Sequence, residues 1–167
     1  MNVDLAVPAF SYGWGTTYDL VDVVPPVVHP GRADDVLAIH ASITTYGLAV
    51  DQKRFDVMRA LFAEQAEFSG VIASVGPVGP VQGADAITTW MQDYMVVRTD
   101  QMRHVLSNIV LTELGDETAT AVAYLTLLSS TTEATVLVAS AFYRFTLTRH
   151  GGAWKFDTVF AGFDKAF

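Results

Sequence analysis

The chain has 167 residues with 51% hydrophobic and 17% charged side chains, and it contains no cysteine. One domain of this size folds without a metal ion or a disulfide, and the absence of thiols excludes disulfides, thiolate catalysis and thiolate metal sites. A net charge of −8 repels phosphate groups, so we expect neither nucleic acid nor a membrane as a partner. The N-terminal segment lacks an apolar run typical of a signal peptide or a membrane span, which makes the cytoplasm the expected location.

Residues 1–32 are interpreted as an N-terminal arm, because four of the six prolines lie there and no helical or strand period continues through it. Its four aromatic side chains favour packing against the domain or a neighbouring subunit, since disordered tails are usually poor in aromatic residues. A mobile leader is the alternative. Residues 33–167 contain no internal repeat or linker and are interpreted as a single domain.

The domain begins with helical periodicity. Apolar side chains at intervals of three and four residues predict a first helix that runs to about Ala49, with Asp34 or Asp35 as its N-terminal cap. Three glycines and two prolines within residues 74–83 predict a loop, which we interpret as a flexible rim or lid. The other elements predicted in this half are helices at 53–64 and 84–97 and a strand at 66–74.

Four long β-rich runs follow and predict an antiparallel meander with turns at the sequences GDE and HGG. Alternation along the last run places Trp154, Phe156 and Phe160 on one face. Helices followed by a meander with one apolar face indicate an α+β fold, in which three helices pack into a bent sheet. The four runs span residues 101–113, 118–130, 135–149 and 153–163.

Three residues stand out as candidates for chemistry. Among the four histidines, only His104 combines a predicted strand position with apolar neighbours on its own face, which is typical of either a hydrogen-bonded core histidine or a proton acceptor. Tyr46 and Asp51 lie five residues apart, and on an ideal helix they would point about 140° apart. Asp51 therefore lies at or just beyond the helix end, where its carboxylate either reaches the imidazole of His104 or is solvated in the turn.

Other chemistries find little support in the sequence. No two histidines have the HxH or HExxH spacing of a metal site, so we predict no metal, and we expect no cofactor. The Gly-rich segment lacks the Lys-Ser/Thr pair of a phosphate loop, and no Gly-x-Ser-x-Gly elbow of a serine hydrolase occurs.

Several short motifs occur in a characteristic order: Y(x4)D, LFAEQAEFSG, GADAI(x2)W, H-x-L-x-N, GDETATAVAY and a final W-K-F. Together they resemble the SnoaL-like branch of the nuclear-transport-factor-like superfamily, and the resemblance covers about residues 34–163. It implies a cone-shaped α+β barrel, in which a strongly curved, mostly antiparallel sheet encloses an apolar pocket.

The resemblance also implies roles for the three candidate residues. The scytalone dehydratase, bile-acid dehydratase and dehydrochlorinase types carry an Asp at the first helix end and a strand His, matched here by Asp51 and His104. The bile-acid dehydratase type has a Tyr five residues before its Asp, matched by Tyr46. By this resemblance His104 removes a proton, Asp51 orients it, and Tyr46 hydrogen-bonds a substrate oxygen or leaving group.

The leading hypothesis is a cofactor-independent lyase of the dehydratase type that acts on a small, largely apolar, oxygenated molecule. One alternative is a polyketide-type cyclase or epoxide-opening enzyme, in which the same three residues protonate an oxygen or deprotonate a nucleophilic hydroxyl. By the resemblance, such enzymes use other carboxylates, and the candidates here are Glu67, Asp100 and Glu133. A second alternative is a non-catalytic ligand-binding or dimerisation module. The side chains expected to bind the substrate are Trp90, Tyr94, Asn108, Tyr124, Tyr143 and Phe160.

Proteins of the resembled superfamily commonly pair through the convex face of the sheet, which implies a homo-oligomer, either a dimer or a trimer. Val136, Val138 and Phe142 alternate on the strand face opposite Tyr143. Exposed apolar patches usually mark contact surfaces, so we expect subunits to meet on this face.

Overall fold

The computed structural model describes residues 29–166, so all but the last four residues of the predicted arm lie outside the described residues. In this described part, three helices and six strands follow one another along the chain. They are α1 (Ala33–Asp51), α2 (Phe55–Ala60), β1 (Phe62–Ile72), β2 (Gly76–Gln82), α3 (Ala84–Val96), β3 (Gln101–Leu114), β4 (Thr118–Ser130), β5 (Thr135–His150) and β6 (Ala153–Phe163).

The strands form one curved sheet in the order β2-β1-β6-β5-β4-β3. Neighbouring strands are antiparallel except β1 and β6, which are parallel. Helix α1 packs against β3 and β6, while α3 packs against β1 and β2. The α+β prediction is therefore confirmed, and so is the antiparallel meander of the last four strands. In the described part of the chain, no helix has the length and apolar character needed to span a membrane.

An aromatic core joins α1 to the sheet. Tyr46, Phe62, Phe145 and Phe156 are each at most 1% exposed. The Tyr46 ring contacts those of Phe62 and Phe156 edge to face, with centroids 6.1 Å apart in both cases. Burial of each large apolar side chain stabilises the fold by about 1.5–3 kcal/mol, so this cluster fixes the position of α1 on the sheet.

Two predictions for the first half of the domain are wrong. The second helix ends at Ala60 rather than near residue 64, because Phe62 already pairs with Phe156 as the first residue of β1. The segment at 74–83, predicted to be a loop, contains the strand β2. β2 lies at an edge of the sheet, where Pro77 and Pro80 are tolerated because one side of the strand needs no ladder hydrogen bonds.

Bulges in the meander change which side chains face the helices. Register shifts place an extra residue in β3 near Asn108, where φ is 52°, and another at Asp157 in β6. One extra residue moves every following side chain to the opposite face. Accordingly Ile109 and Val159 pack toward the core, although a strict alternation from His104 and from Phe156 would direct them outward.

The outer face of the sheet carries exposed apolar side chains from adjacent strands. Tyr124 is 53% exposed and Leu137 is 60% exposed, whereas Phe142 is buried beneath an edge contact with Tyr124. The predicted grouping of Val136 with Phe142 is wrong, because a bulge at Val138 brings Leu137 onto the outer face instead. Pairing of subunits through this face stays a prediction.

The first turn of α1 is tied to the far end of the sheet by Asp35. Its carboxylate accepts hydrogen bonds from Arg32 Nε at 2.6 Å, from Trp154 Nε1 at 3.0 Å and from the Arg149 guanidinium. The predicted capping role is wrong, because the helix begins at Ala33 and Arg32 occupies the cap position. Asp35 instead anchors the helix to the β5–β6 hairpin.

Replacing Asp35 by Asn should lower the melting temperature, because it removes the charge that holds two arginines and an indole. Arg32 first, and then Trp154 and Arg149, hold the pKa of this carboxyl well below its usual range. A lowered folded-state pKa gives stability that is present above the unfolded-state pKa of about 4 and is lost as the pH falls. The difference in melting temperature between wild type and Asp35→Asn should therefore be full at neutral pH and shrink in acid.

Thermal unfolding followed by circular dichroism across that pH range measures this effect. Asp34→Asn, at an exposed position in the same helical turn, is the matched control and should change the melting temperature little. If the difference in melting temperature between wild type and Asp35→Asn stays constant from neutral pH to about pH 2, the Asp35 charge does not stabilise the fold as described.

Candidate active site

A cavity of about 310 Å³ lies between α3, the strands β1 and β2, and the inner face of the meander. Most of its wall is apolar or aromatic, and the few lining residues with a polar side-chain group include His104, Tyr94 and Tyr143. Such a wall is typical of a site for a small organic molecule. The lining residues are Phe68, Gly70, Ile72, Val75, Val78, Trp90, Met91, Tyr94, Met102, His104, Leu127, Tyr143, Ala161, Phe163 and Ala166.

Asp51 holds His104 through both of its carboxylate oxygens. Oδ1 lies 2.6 Å from Nδ1 of the ring, and Oδ2 accepts the backbone N–H of the same residue at 2.8 Å. The side chains are only 4% and 10% exposed for Asp51 and His104, respectively. The distance to the ring is short, which is typical of a charge-assisted hydrogen bond.

This contact determines which ring nitrogen of His104 is available to a bound molecule. A carboxylate only accepts hydrogen bonds, so Nδ1 carries the proton that points to Asp51. In the neutral ring Nε2 then keeps its lone pair and can accept a proton. The two residues lie 53 positions apart in sequence, and the fold brings them to the geometry of an oriented general base.

The end of α1 explains why Asp51 reaches the strand. The N–H of Arg54 bonds the carbonyl of Ala49 at 2.8 Å, and the N–H of Lys53 bonds that of Val50 at 3.0 Å. With Lys53 at a positive φ of 54°, these bonds form a Schellman motif that ends the helix at Asp51. The predicted position of Asp51 at the helix end therefore has a specific structural cause.

Two residues that the sequence reading did not identify help to position the pair. Gln101 donates its side-chain amide to the backbone carbonyl of Asp51 at 3.0 Å, which ties the helix end to β3. Gly47 lies one helical turn before Asp51, on the same face, against the backbone of His104. A glycine inside a predicted helix was the available signal, since glycine there costs about 1 kcal/mol relative to alanine.

Of the predicted substrate-binding residues, Trp90, Tyr94 and Tyr143 line the cavity. Tyr46, predicted to reach the substrate directly, lies in the core behind Tyr143 and is 1% exposed. Its ring packs into the aromatic core on a different face of α1 from Asp51, because side chains five residues apart on a helix point about 140° apart.

The other three predicted substrate-binding residues, Asn108, Tyr124 and Phe160, do not line the cavity. Asn108 is exposed at the β3 bulge, and the Asp157 bulge turns Phe160 away so that Ala161 lines the wall instead. Tyr124 stands on the outer face of β4 beside Phe142. Bulges and faces of this kind follow from strand pairing, which alternation within one strand does not reveal.

The other carboxylates named as candidates lie away from the cavity wall. Asp100 is held by two hydrogen bonds from Arg98, at 2.7 and 3.0 Å, and by the hydroxyl of Ser129. Glu133 is exposed in the β4–β5 turn, and Glu67 accepts a hydrogen bond from Gln82 at 3.4 Å. Within residues 29–166, no group of three or more His, Asp or Glu side chains is placed to hold a metal ion.

Comparisons with known proteins agree on the fold. The family model described as SnoaL-like domain matches residues 31–159. No curated protein matches the chain.

Three similar solved structures illustrate the shared fold, and at their low identities the likeness extends to the fold alone. A function-unknown protein from Mycobacterium tuberculosis is 17% identical with a TM-score of 0.69, over 81% of this chain and 75% of that one. A protein of unknown function with a cystatin-like fold from Nostoc punctiforme is 20% identical with a TM-score of 0.69, over 81% and 95%. An NTF2-like protein from Novosphingobium aromaticivorans is 19% identical with a TM-score of 0.66, over 77% and 81%.

Replacing Gly47 by Ala should destabilise the protein, although alanine is the better helix former. The added Cβ would lie 2.9 Å from the carbonyl oxygen of His104, closer than real contacts of this kind. Overpacking of this type costs about 1–3 kcal/mol and the gain in helix propensity is about 1 kcal/mol, so a net loss of up to about 2 kcal/mol is expected. Urea unfolding measures it.

The exposed Ala41 on the same helix provides the control for helix propensity alone, since Ala41→Gly should destabilise by about 1 kcal/mol. A Gly47→Ala variant more stable than wild type would mean that the close approach of α1 to β3 does not constrain the site.

Proposed function

This chain belongs to the SnoaL-like family, and we propose that it is a cofactor-independent lyase acting on a small, largely apolar, oxygenated molecule. In this proposal Nε2 of His104 removes a proton from a carbon beside a carbonyl group or an aromatic ring. Asp51 keeps the ring in the reactive tautomer and balances the positive charge that His104 gains. A correctly placed base of this type typically accelerates proton transfer by about 10² to 10⁴.

One observation carries the proposal: a buried carboxylate holds the imidazole by Nδ1 at 2.6 Å, and the same imidazole lines an apolar cavity. A histidine with a purely structural role needs no cavity beside it. The low exposure of both side chains and the apolar cavity wall also strengthen the interaction between the developing imidazolium and the carboxylate, because they lower the local dielectric constant.

The cavity wall favours a flat, partly aromatic substrate. Trp90 and Phe68 lie with ring centroids 5.1 Å apart on one side, and Tyr143 and Phe163 contact each other edge to face on the other. A volume of about 310 Å³ is at the small end of ligand sites, which fits a molecule of one or two rings.

The location of the carboxylates disfavours one form of the cyclase or epoxide-opening alternative, the form that recruits a further carboxylate. Glu67, Asp100 and Glu133, the carboxylates named for it, are not part of the cavity wall. A non-catalytic module is less well supported, since it gives no reason for a buried carboxylate and imidazole at the cavity. Product analysis with candidate substrates separates elimination from cyclisation.

The proposal can be tested without the natural substrate. A nitrobenzisoxazole is a small aromatic molecule that loses one ring C–H proton to a base, breaks its N–O bond and becomes a coloured cyanophenolate. Wild-type protein should catalyse this opening, and His104→Ala should lose about 10² to 10⁴ of the rate. The fold should survive, because the backbone N–H at position 104 still bonds Asp51 Oδ2.

His40→Ala is the control, because His40 lies on α1 outside the cavity wall and its loss should leave the rate unchanged. Asp51→Asn should also lose activity. The side-chain amide has one acceptor oxygen, whereas the two carboxylate oxygens of Asp51 each accept one N–H of His104. Equal rates for wild type and His104→Ala would refute the proposed base.

A further inference from the structure

Exposed residues in the cavity wall mark the mouth of the cavity. Most of the described lining residues are buried or half-buried, and three are exposed: Val75 in the β1–β2 turn, Tyr94 on α3 and Ala166 after β6. Tyr94 is 40% exposed and has the largest side chain of the three. A molecule that enters the cavity therefore passes Tyr94, and the position of its ring limits the width of the mouth.

Arg98 contacts both the hydroxyl and the ring of Tyr94. It lies one helical turn further along the chain, just beyond the end of α3 at Val96. Its Nη1 donates a long hydrogen bond to the Tyr94 hydroxyl at 3.4 Å, and its guanidinium carbon lies over the ring, 5.7 Å from the centroid. A cation at this distance is attracted by the face of an aromatic ring, so two contacts hold the Tyr94 side chain.

Arg98 is itself fixed to the sheet. Its guanidinium donates two hydrogen bonds to Asp100, at 2.7 and 3.0 Å, and Asp100 also accepts the hydroxyl of Ser129 on β4. The side chains of Arg98 and Asp100 are 26% and 14% exposed, respectively. Arg98 first and then Ser129 lower the pKa of Asp100 to about 2, so its carboxylate is ionised at neutral pH. A bidentate pair of this kind restricts the guanidinium, which ties Tyr94 to β4.

A second pair with the same sequence spacing shows what is particular about this one. Arg54 donates to Asp56 with the same two groups, at 3.0 and 2.8 Å. Its two side chains are 61% and 67% exposed, and neither residue lines the cavity or contacts a residue that does. Exposed ion pairs contribute little to stability. The pair formed by Arg98 differs in its burial, in its bond to Ser129 and in its contact with the cavity wall at Tyr94.

We propose that Tyr94 is a specificity-determining residue that limits the length of the molecules the cavity accepts, and that Arg98 is the positioning residue that holds it at the mouth. This inference rests on the proposed function in one respect, the use of the cavity as the substrate site. It does not depend on His104 being the base. The substrate class narrows to compact molecules without a long substituent that would have to project past Tyr94.

The test compares two phenols that are uncharged at neutral pH, with binding measured by isothermal titration calorimetry. One is 4-methylphenol, which has a single ring, and the other is 4-(benzyloxy)phenol, which carries a second ring on a flexible link. Tyr94→Ala should raise the affinity for the long phenol relative to the short one at least about tenfold, because the shorter side chain opens the mouth. A general loss of stability would weaken both affinities and leave their ratio unchanged.

Arg98→Met keeps most of the alkyl chain and removes the guanidinium. It should change the ratio of affinities in the same direction by a smaller factor, and it should add nothing to Tyr94→Ala in the double variant, because both act through one side chain. Arg98→Lys should not restore the wild-type ratio, since an ammonium group cannot form the bidentate pair. Arg54→Met removes the matched exposed pair and is the control, with both affinities unchanged.

The outcomes separate this inference from the proposed function, because binding does not require proton abstraction. If Tyr94→Ala keeps the wild-type ratio or favours the short phenol, or if neither phenol binds to it or to wild type, the inference is wrong. A shifted ratio in Tyr94→Ala with none in Arg98→Met would refute the positioning role of Arg98. If the ratios shift as expected while wild type and His104→Ala open the nitrobenzisoxazole equally slowly, the proposed base is wrong and this inference stands.

Discussion

The site depends on one interaction: the carboxylate of Asp51 accepts both the backbone N–H and the ring Nδ1–H of His104. A buried carboxylate is stable only when its oxygens are satisfied, and one strand residue satisfies both of them. The same contact fixes the imidazole tautomer, so the stability of the site and the reactivity proposed for it have a common origin. Removal of the imidazole leaves one of the two bonds in place, because the backbone N–H of residue 104 still reaches the carboxylate.

The surrounding fold serves this contact by bringing α1 unusually close to β3. Gly47 removes the side chain that would separate them, Gln101 secures the helix terminus, and the backbone turn at Lys53 ends the helix where the carboxylate is needed. At the other end of α1, Asp35 fixes the helix to the β5–β6 hairpin. The helix is thus held at both ends, and its last residue, Asp51, bonds His104, which lines the cavity.

The sequence was sufficient for the architecture and for the contact between Asp51 and His104. Helical and strand periods predicted α1, α3 and the meander, and the out-of-phase spacing of Tyr46 and Asp51 predicted that the carboxylate lies at a helix end. The predictions that were wrong concern features that depend on how neighbouring strands pair. The extra residue at Asp157 places Phe160 on the opposite face from the one predicted. The Gly- and Pro-rich segment at 74–83 contains a strand, β2, because it lies at an edge of the sheet.

Sequence patterns also did not reveal whether an inward-facing side chain is buried in the core or lines the cavity. Tyr46 and Tyr143 are both aromatic residues on inward faces, yet only Tyr143 reaches the cavity. Gly47 and Gln101 were missed because close approach and helix-end hydrogen bonds depend on how α1 meets β3 in space. Such features follow from tertiary packing, which no single segment encodes.

The central claim is that Asp51 keeps His104 as the Nδ1–H tautomer, with Nε2 free to accept a proton. Nitrogen NMR of protein labelled with ¹⁵N-histidine tests it most directly, with His104→Ala used to assign the signals. For the neutral ring the account predicts a protonated Nδ1 that is coupled to its hydrogen and an unprotonated Nε2. A proton on Nε2, with Nδ1 bare, would contradict it.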